Sequence, residues 1–319
     1  AMWRGTSMAS PLVAGEAALM RAAFPDMSPL QVAEQIRETS VRLRNEDVDR
    51  RVDMAQALLS APRSATNPIN DTKNFVRQNY LDFFNRAPDE SGFNFWTGSI
   101  ETCPADDAAC REVKRIDTSA AFFLSIEFQG TGYLVYRLHK ASFGDMPRYE
   151  KFMPDTQRIG QGVVVNAPGW EAKIEDNKRA FAVEWVNRPE FKSAFPDNTT
   201  PTAFVDRLYS NAGVVPFDVV RNALIAELTA NNTAAGRAGV LRKVADGPEM
   251  VGGEFKRAFV LMQYFGYLRR NPDDAPNTNL DGYNFWLSKL NEFNGDYRRA
   301  EMVKAFITSS EYRERFGPQ

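Results

Sequence analysis

"FVRQNYLDFFNRAPDESGFNFW", residues 75–96, decides how most of this chain folds. Its apolar residues Phe75, Val76, Tyr80, Phe83 and Phe84 fall three and four positions apart. That spacing puts them on one face of an α-helix and predicts that the face is core. "RAP" ends the helix, because the residue before a proline is pushed out of the α region. "GFNFW" then opens a second helix whose tryptophan is expected to be buried between neighbours.

The wording returns as "FVLMQYFGYLRRNPDDAPNTNLDGYNFW" from Phe259. Placing Phe75 on Phe259 aligns Tyr80 with Tyr264, Phe84 with Leu268, Arg86 with Arg270 and Pro88 with Pro272. After six inserted residues Gly92 meets Gly282 and Trp96 meets Trp286. A looser copy keeps Val135, His139, Phe143 and Pro147, which puts His139 in a tyrosine's place, and "FVDRLY" at 204–209 opens another. The starts at 75, 135, 204 and 259 give a unit of about sixty residues. Each unit closes alike, on "SIEF", "RPEF", "GPEM" and "SSEY". Asn187, Asp246 and Thr308 stand three residues before Glu190, Glu249 and Glu311, which predicts a capping box starting a short last helix; Leu124 breaks the pattern before Glu127. These glutamates read as caps rather than catalytic acids, since no partner acid recurs at a fixed spacing. Only "GQGVVVNAPGW", residues 160–170, has strand character.

Of the 319 residues, 43% are hydrophobic and 25% charged, as in a globular protein with room for two or three domains. A net charge of −2 carries no nucleic-acid footprint, and no apolar run approaches the ~20 residues of a membrane span. Cys103 and Cys110 bracket "CPADDAAC", a spacing that fits no zinc pattern. They are either two free thiols or a disulfide worth about 2–3 kcal/mol through loop closure.

Before this region stands "RGTSMASPLVAG", residues 4–15. Gly5 permits a tight approach, Pro11 falls near the first turn, and Ala9, Ala14 and Gly15 let a helix press closely on what lies beneath. Ser7 then sits at a helix N-terminus, where backbone N–H groups can hold a developing oxyanion. From the residues alone an N-cap serine is the plainer reading. The string "GTSMASP" with "VAG" resembles the nucleophile motif of the subtilases, the subtilisin-like serine proteases. "EAALMRAAFPDMSPLQVAEQIRETS" is similar to that family's nucleophile helix, a turn and a second helix with Ser28 as N-cap, and "RVDMAQAL" to its short closing strand and helix. Leu12 stands where many members have histidine, and Arg50–Arg51 replace a glycine-rich approach.

The resemblance implies that Ser7 is the catalytic nucleophile of a serine endopeptidase acting on protein or peptide substrates. It also implies that the family's aspartate, histidine and oxyanion-hole asparagine lie upstream, in sequence not given. His139, the single histidine, lies far after Ser7 and is not expected to be its base. The segment alone is therefore expected not to hydrolyse peptides, and, without its parallel sheet, to pack loosely. The repeats resemble a bacterial domain of unknown function found near the C-termini of large exported proteins, distantly similar to phycobilisome linker domains. That resemblance implies a scaffold or attachment module and lends no catalytic residue.

The expectation is a mainly α protein: the C-terminal helices of a truncated α/β subtilase domain, then an all-α repeat region. Its boundaries are 1–61 for the subtilase end, 62–71 for a linker, 72–195 for repeat units one and two, and 196–319 for units three and four. No cofactor and no metal are expected. "NTNLDG", residues 277–282, imitates the start of a calcium loop, but Ser288 stands where the bidentate glutamate belongs. The partners expected are a protein or peptide substrate and a cell-envelope or extracellular ligand for the repeats, with no nucleic acid and no membrane span. The location expected is extracellular or at the cell surface, with a signal peptide in the part not given.

Overall fold

The computed structural model describes residues 6–25, 27–42, 50–59 and 67–317, the side chains of 6–9, 38, 42, 50 and 59 apart. The fold is mainly α. The only strands among the described residues are β1 (Val41–Arg42) and β2 (Arg50–Arg51), antiparallel with Val41 opposite Arg51. The chain divides into two compact units, residues 1–75 with 307–319, and residues 76–306.

In the first unit, α1 (Thr6–Ala23), α2 (Pro29–Thr39) and α3 (Met54–Leu59) pack on one another. Ser28 caps α2, its Oγ accepting from Gln31 N–H while the Gln31 side chain accepts from Ser28 N–H. Met20, Met27, Val32, Ile36 and Ala57 form the core between these helices. It is a small core, and Leu12 and Leu19 on α1 stay exposed.

Of the stretch expected as a linker, residues 62–66 lie outside the described residues, and the rest is built in. Asn67 caps a 3-10 turn, Pro68–Asn70, with Ile69 buried. The Asn67 amide donates to the carbonyls of Arg313 and Gly317 at 2.9 and 3.1 Å, and Ser28 Oγ donates to Phe316 O. The last residues of the chain thus satisfy polar groups of the first unit.

From residue 72 onward the helices come in sets of four: a lead helix, a second, a third and a short last one. The first set is α4 (Thr72–Phe84), α5 (Glu90–Glu101), α6 (Ala108–Leu124) and α7 (Ile126–Gly130). Next come α8 (Gly132–Phe143), α9 (Tyr149–Gly160), α10 (Trp170–Asn187) and α11 (Pro189–Ala194). The third set is α12 (Pro201–Ala212), α13 (Asp218–Ala230), α14 (Ala234–Ala245) and α15 (Pro248–Gly253). The fourth is α16 (Phe255–Met262), which runs on as a π-turn over Gln263–Leu268, then α17 (Asp281–Glu292), α18 (Met302–Thr308) and α19 (Ser310–Glu314). In the second unit α8 packs on α12 and α14, and α10 on α14. The apolar stripe of each lead helix is buried there, and the Phe123 ring lies 5.0, 5.3 and 4.5 Å from those of Phe128, Phe255 and Phe259. Each such buried phenylalanine contributes about 1.5–3 kcal/mol.

Three expectations are corrected. Residues 160–170 form no strand: Gly162, Asn166 and Gly169 have φ of 71°, 70° and 80°, which breaks any extended run. The short last helices are not capped by Asn187, Asp246 or Thr308 but start from Ser125, Arg188, Gly247 and Ser309, two residues before each glutamate. Pro189 and Pro248 occupy the first helical position, and a proline there makes the residue before it the cap. Trp96 and Trp286 are half-buried rather than enclosed.

Candidate functional site

Ser7 is the second residue of α1, in the turn whose N–H groups have no helical acceptor. Its side chain lies outside the described residues. Pro11 is the sixth residue of that helix, beyond the first turn, so the Ser7 carbonyl lacks the N–H that a helix would supply four residues on. Farther along α1, Glu16 is buried, and among the described residues neither carboxylate oxygen has a hydrogen-bond partner. Burial, and secondarily the charge of Asp53, push its carboxyl above the ordinary range.

His139 belongs to the second unit. Its Nδ1 lies 3.4 Å from Asp145 Oδ1, and its ring packs against Phe143 at 4.9 Å and Trp185 at 6.2 Å. Burial lowers its pKa, and the Asp145 charge only partly offsets this.

A second arrangement lies in the first helical set. The Tyr80 ring on α4 meets Phe122 edge-on at 4.8 Å, and Trp96 lies 5.7 Å from the same Phe122. Arg86, just past the end of α4, places its guanidinium over the Tyr80 ring at 5.1 Å and over Phe84 at 5.5 Å. Its Nε and Nη2 donate to the two carboxylate oxygens of Glu127 at 2.9 and 2.7 Å. Asp89 caps α5, accepting from Gly92 N–H and from Ser91 Oγ. Burial works against the ionised Asp89, but those donors and Arg86 hold its carboxyl below the usual range. Burial and the Asp89 charge push the Tyr80 hydroxyl up to about 12.

Tyr80, Phe84, Asp89, Ser91, Gly92, Trp96, Phe122 and Glu127 wall a cavity of about 490 Å³ that reaches Phe95, Ile126 and Asn166. A second, of about 470 Å³, shares Phe84 and Glu127 with it. The matching place in the second set holds His139, Phe143, Trp185, Arg188 and Glu190 around about 230 Å³. In the fourth set the ring pattern returns, with Tyr264 and Trp286 lying 5.1 and 5.7 Å from Phe306.

The sequence brings Tyr80, Arg86, Trp96 and Glu127 into view but not their meeting. The recurrence of Tyr80, Arg86 and Glu127 as Tyr264, Arg270 and Glu311 at one spacing, with the tryptophan displaced by the six inserted residues, is the signal for it. In "NTNLDG" the Asn277 amide donates to Pro272 O, and the Asn279 amide donates to Asp281. Among the described residues no group of three or more His, Cys, Asp or Glu is placed to hold a metal ion. Nor is any helix among them long and apolar enough to cross a membrane. Cys103 and Cys110 are joined by a disulfide.

The sequence profile of the Subtilase family matches residues 1–58. No curated protein matches the chain, and no solved structure does.

Proposed function

We propose that this chain is the C-terminal part of an exported serine endopeptidase of the subtilase type, with Ser7 as nucleophile, followed by a helical repeat module for attachment. The observation that carries the reading is the family match over 1–58, a segment in which Thr6 and Ser7 are the first residues of α1. The N-terminal half-turn of a helix offers backbone donors to an oxyanion, and the proline four residues after Ser7 leaves that serine's own carbonyl without its helical donor. The base and its orienting aspartate are contributed by sequence upstream, in the family's order of Asp, His, Ser. His139 is walled in by Phe143 and Trp185 and is not that base. A disulfide at Cys103–Cys110 is consistent with an oxidising compartment, extracellular or at the cell surface. The substrates are proteins or peptides. The test is cleavage of unfolded casein by the full product of the gene, which falls at least 10³-fold in Ser7→Ala. Undiminished cleavage by that variant contradicts the reading.

The recurrence of helices in fours, with Tyr80–Phe122–Trp96 mirrored by Tyr264–Phe306–Trp286, favours a second reading of the region after residue 72. There the repeats, of the kind that resembles the bacterial domain of unknown function and the phycobilisome linkers, are a non-enzymatic binding or scaffold module for a cell-envelope ligand.

A further inference from the structure

We infer that the cavity between α4, α5 and α7 binds neutral hexose units of a polysaccharide, stacked on Phe95 and Trp96 and hydrogen-bonded by Asp89, Ser91 and Glu127. The inference rests on reading the repeats as a binding module and is independent of Ser7.

The volume of about 490 Å³ lies in the range of small-ligand sites, while the counterpart around Trp185, at about 230 Å³, falls below it. Trp96 is half-exposed and Phe95 beside it is 65% exposed, whereas α9, the second helix of the second set, carries no such pair of adjacent aromatic residues. Phe95 and Trp96 hold each other edge-to-face at 4.9 Å, so an exposed ring stands at the mouth with its orientation set.

The chemistry of the walls selects the ligand. Anions are disfavoured by the carboxylates of Asp89 and Glu127. A cation would compete with Arg86, which already covers the Tyr80 and Phe84 faces and already pairs with Glu127. A purely apolar ligand would strip water from Asp89, Ser91, Ser125 and Asn166 without replacing its hydrogen bonds. A neutral pyranose ring meets both demands. Its C–H face lies on an aromatic ring, and its hydroxyls donate to the carboxylate and hydroxyl oxygens of the wall and accept from the Ser91 hydroxyl and the Asn166 amide.

Affinity electrophoresis of the full chain tests this, in native gels cast with dextran, mannan, laminarin or galactomannan. At least one polymer is expected to retard the chain. Phe95→Ala weakens the retardation about tenfold, as loss of a hot-spot aromatic does, and Ser91→Trp, which fills the cavity, abolishes it. Phe285→Ala, at the corresponding exposed ring of the fourth set, leaves it unchanged. Thermal unfolding of each variant verifies folding, and Phe95→Ala, at an exposed position, serves if Ser91→Trp does not fold. Migration unaltered in all four polymers overturns the inference, as does retardation indifferent to Phe95→Ala. Retardation by heparin, polylysine or polyproline in their place also overturns it. Co-sedimentation with a cell-envelope fraction, if kept while all four gels fail, removes the sugar assignment and leaves the binding-module reading standing.

Discussion

Arg86 and Glu127 join the end of the first lead helix to the start of the short helix that closes its set, through two hydrogen bonds of 2.9 and 2.7 Å. The cap of that short helix is Ser125, not Glu127. Glu127 is the counter-ion that lets a guanidinium rest on the Tyr80 and Phe84 rings. Burial alone would lower the pKa of Arg86, and the Glu127 hydrogen bonds and charge raise it instead. Glu127→Ala leaves a partly buried cation with only the longer Asp89 pair, at 3.6 Å, and is expected to cost about 2 kcal/mol in urea unfolding, with Glu127→Gln losing less.

Gly92 is required by the Tyr80 hydroxyl above it. A Cβ at residue 92 would lie 2.1 Å from Tyr80 Oη, and one at Gly282 would lie 2.8 Å from Tyr264 Oη. The ring cannot swing away easily, being held by Phe122 and covered by Arg86. Gly92→Ala is expected to destabilise by about 1–3 kcal/mol through overpacking, read by thermal unfolding. Gly98→Ala, which meets nothing within 4 Å on the same helix, is the control and should stabilise slightly.

The disulfide closes a separation of seven residues, from Cys103 just past α5 to Cys110 in the first turn of α6. Replacing both cysteines by serine is expected to cost about 2–3 kcal/mol on the loop-closure account. Urea unfolding of the oxidised chain against the double variant measures it.

Glu16 sets a pH dependence. Its carboxyl is raised above 4.5, first by burial and then by Asp53, so the folded state holds the proton more tightly than the unfolded one. The contribution of the protonated form is complete below the unfolded value and is lost as pH rises through the folded value. Glu16→Gln should therefore raise the Tm at pH 7, with the gain shrinking as the pH is brought to about 4. A Tm difference constant with pH would contradict this.

Much of the helical architecture was legible because one period governs it. Phe75, Val76, Tyr80, Phe83 and Phe84 are all buried as their spacing required. The caps were misread by one residue because the capping-box pattern ignores the proline inside "NRPE" and "DGPE". That proline sends Arg188 or Gly247 into the β region, and the Asn187 amide donates to Val183 O instead of capping the next helix. "GVVV" looked like a strand from β-propensity alone, and the left-handed residues after it decide otherwise. The cavity was hidden for a different reason. Phe95 and Trp96 are adjacent, and periodicity says which face of a helix is apolar but not whether a neighbour covers it.

The proposed proteolysis turns on the hydroxyl of residue 7. Its most direct test is to treat the full product of the gene with a fluorophosphonate and locate the adduct by peptide mass spectrometry. The account predicts modification of Ser7 and none in Ser7→Ala. An adduct on another residue that persists in that variant, or no adduct in a folded full-length product, would contradict it.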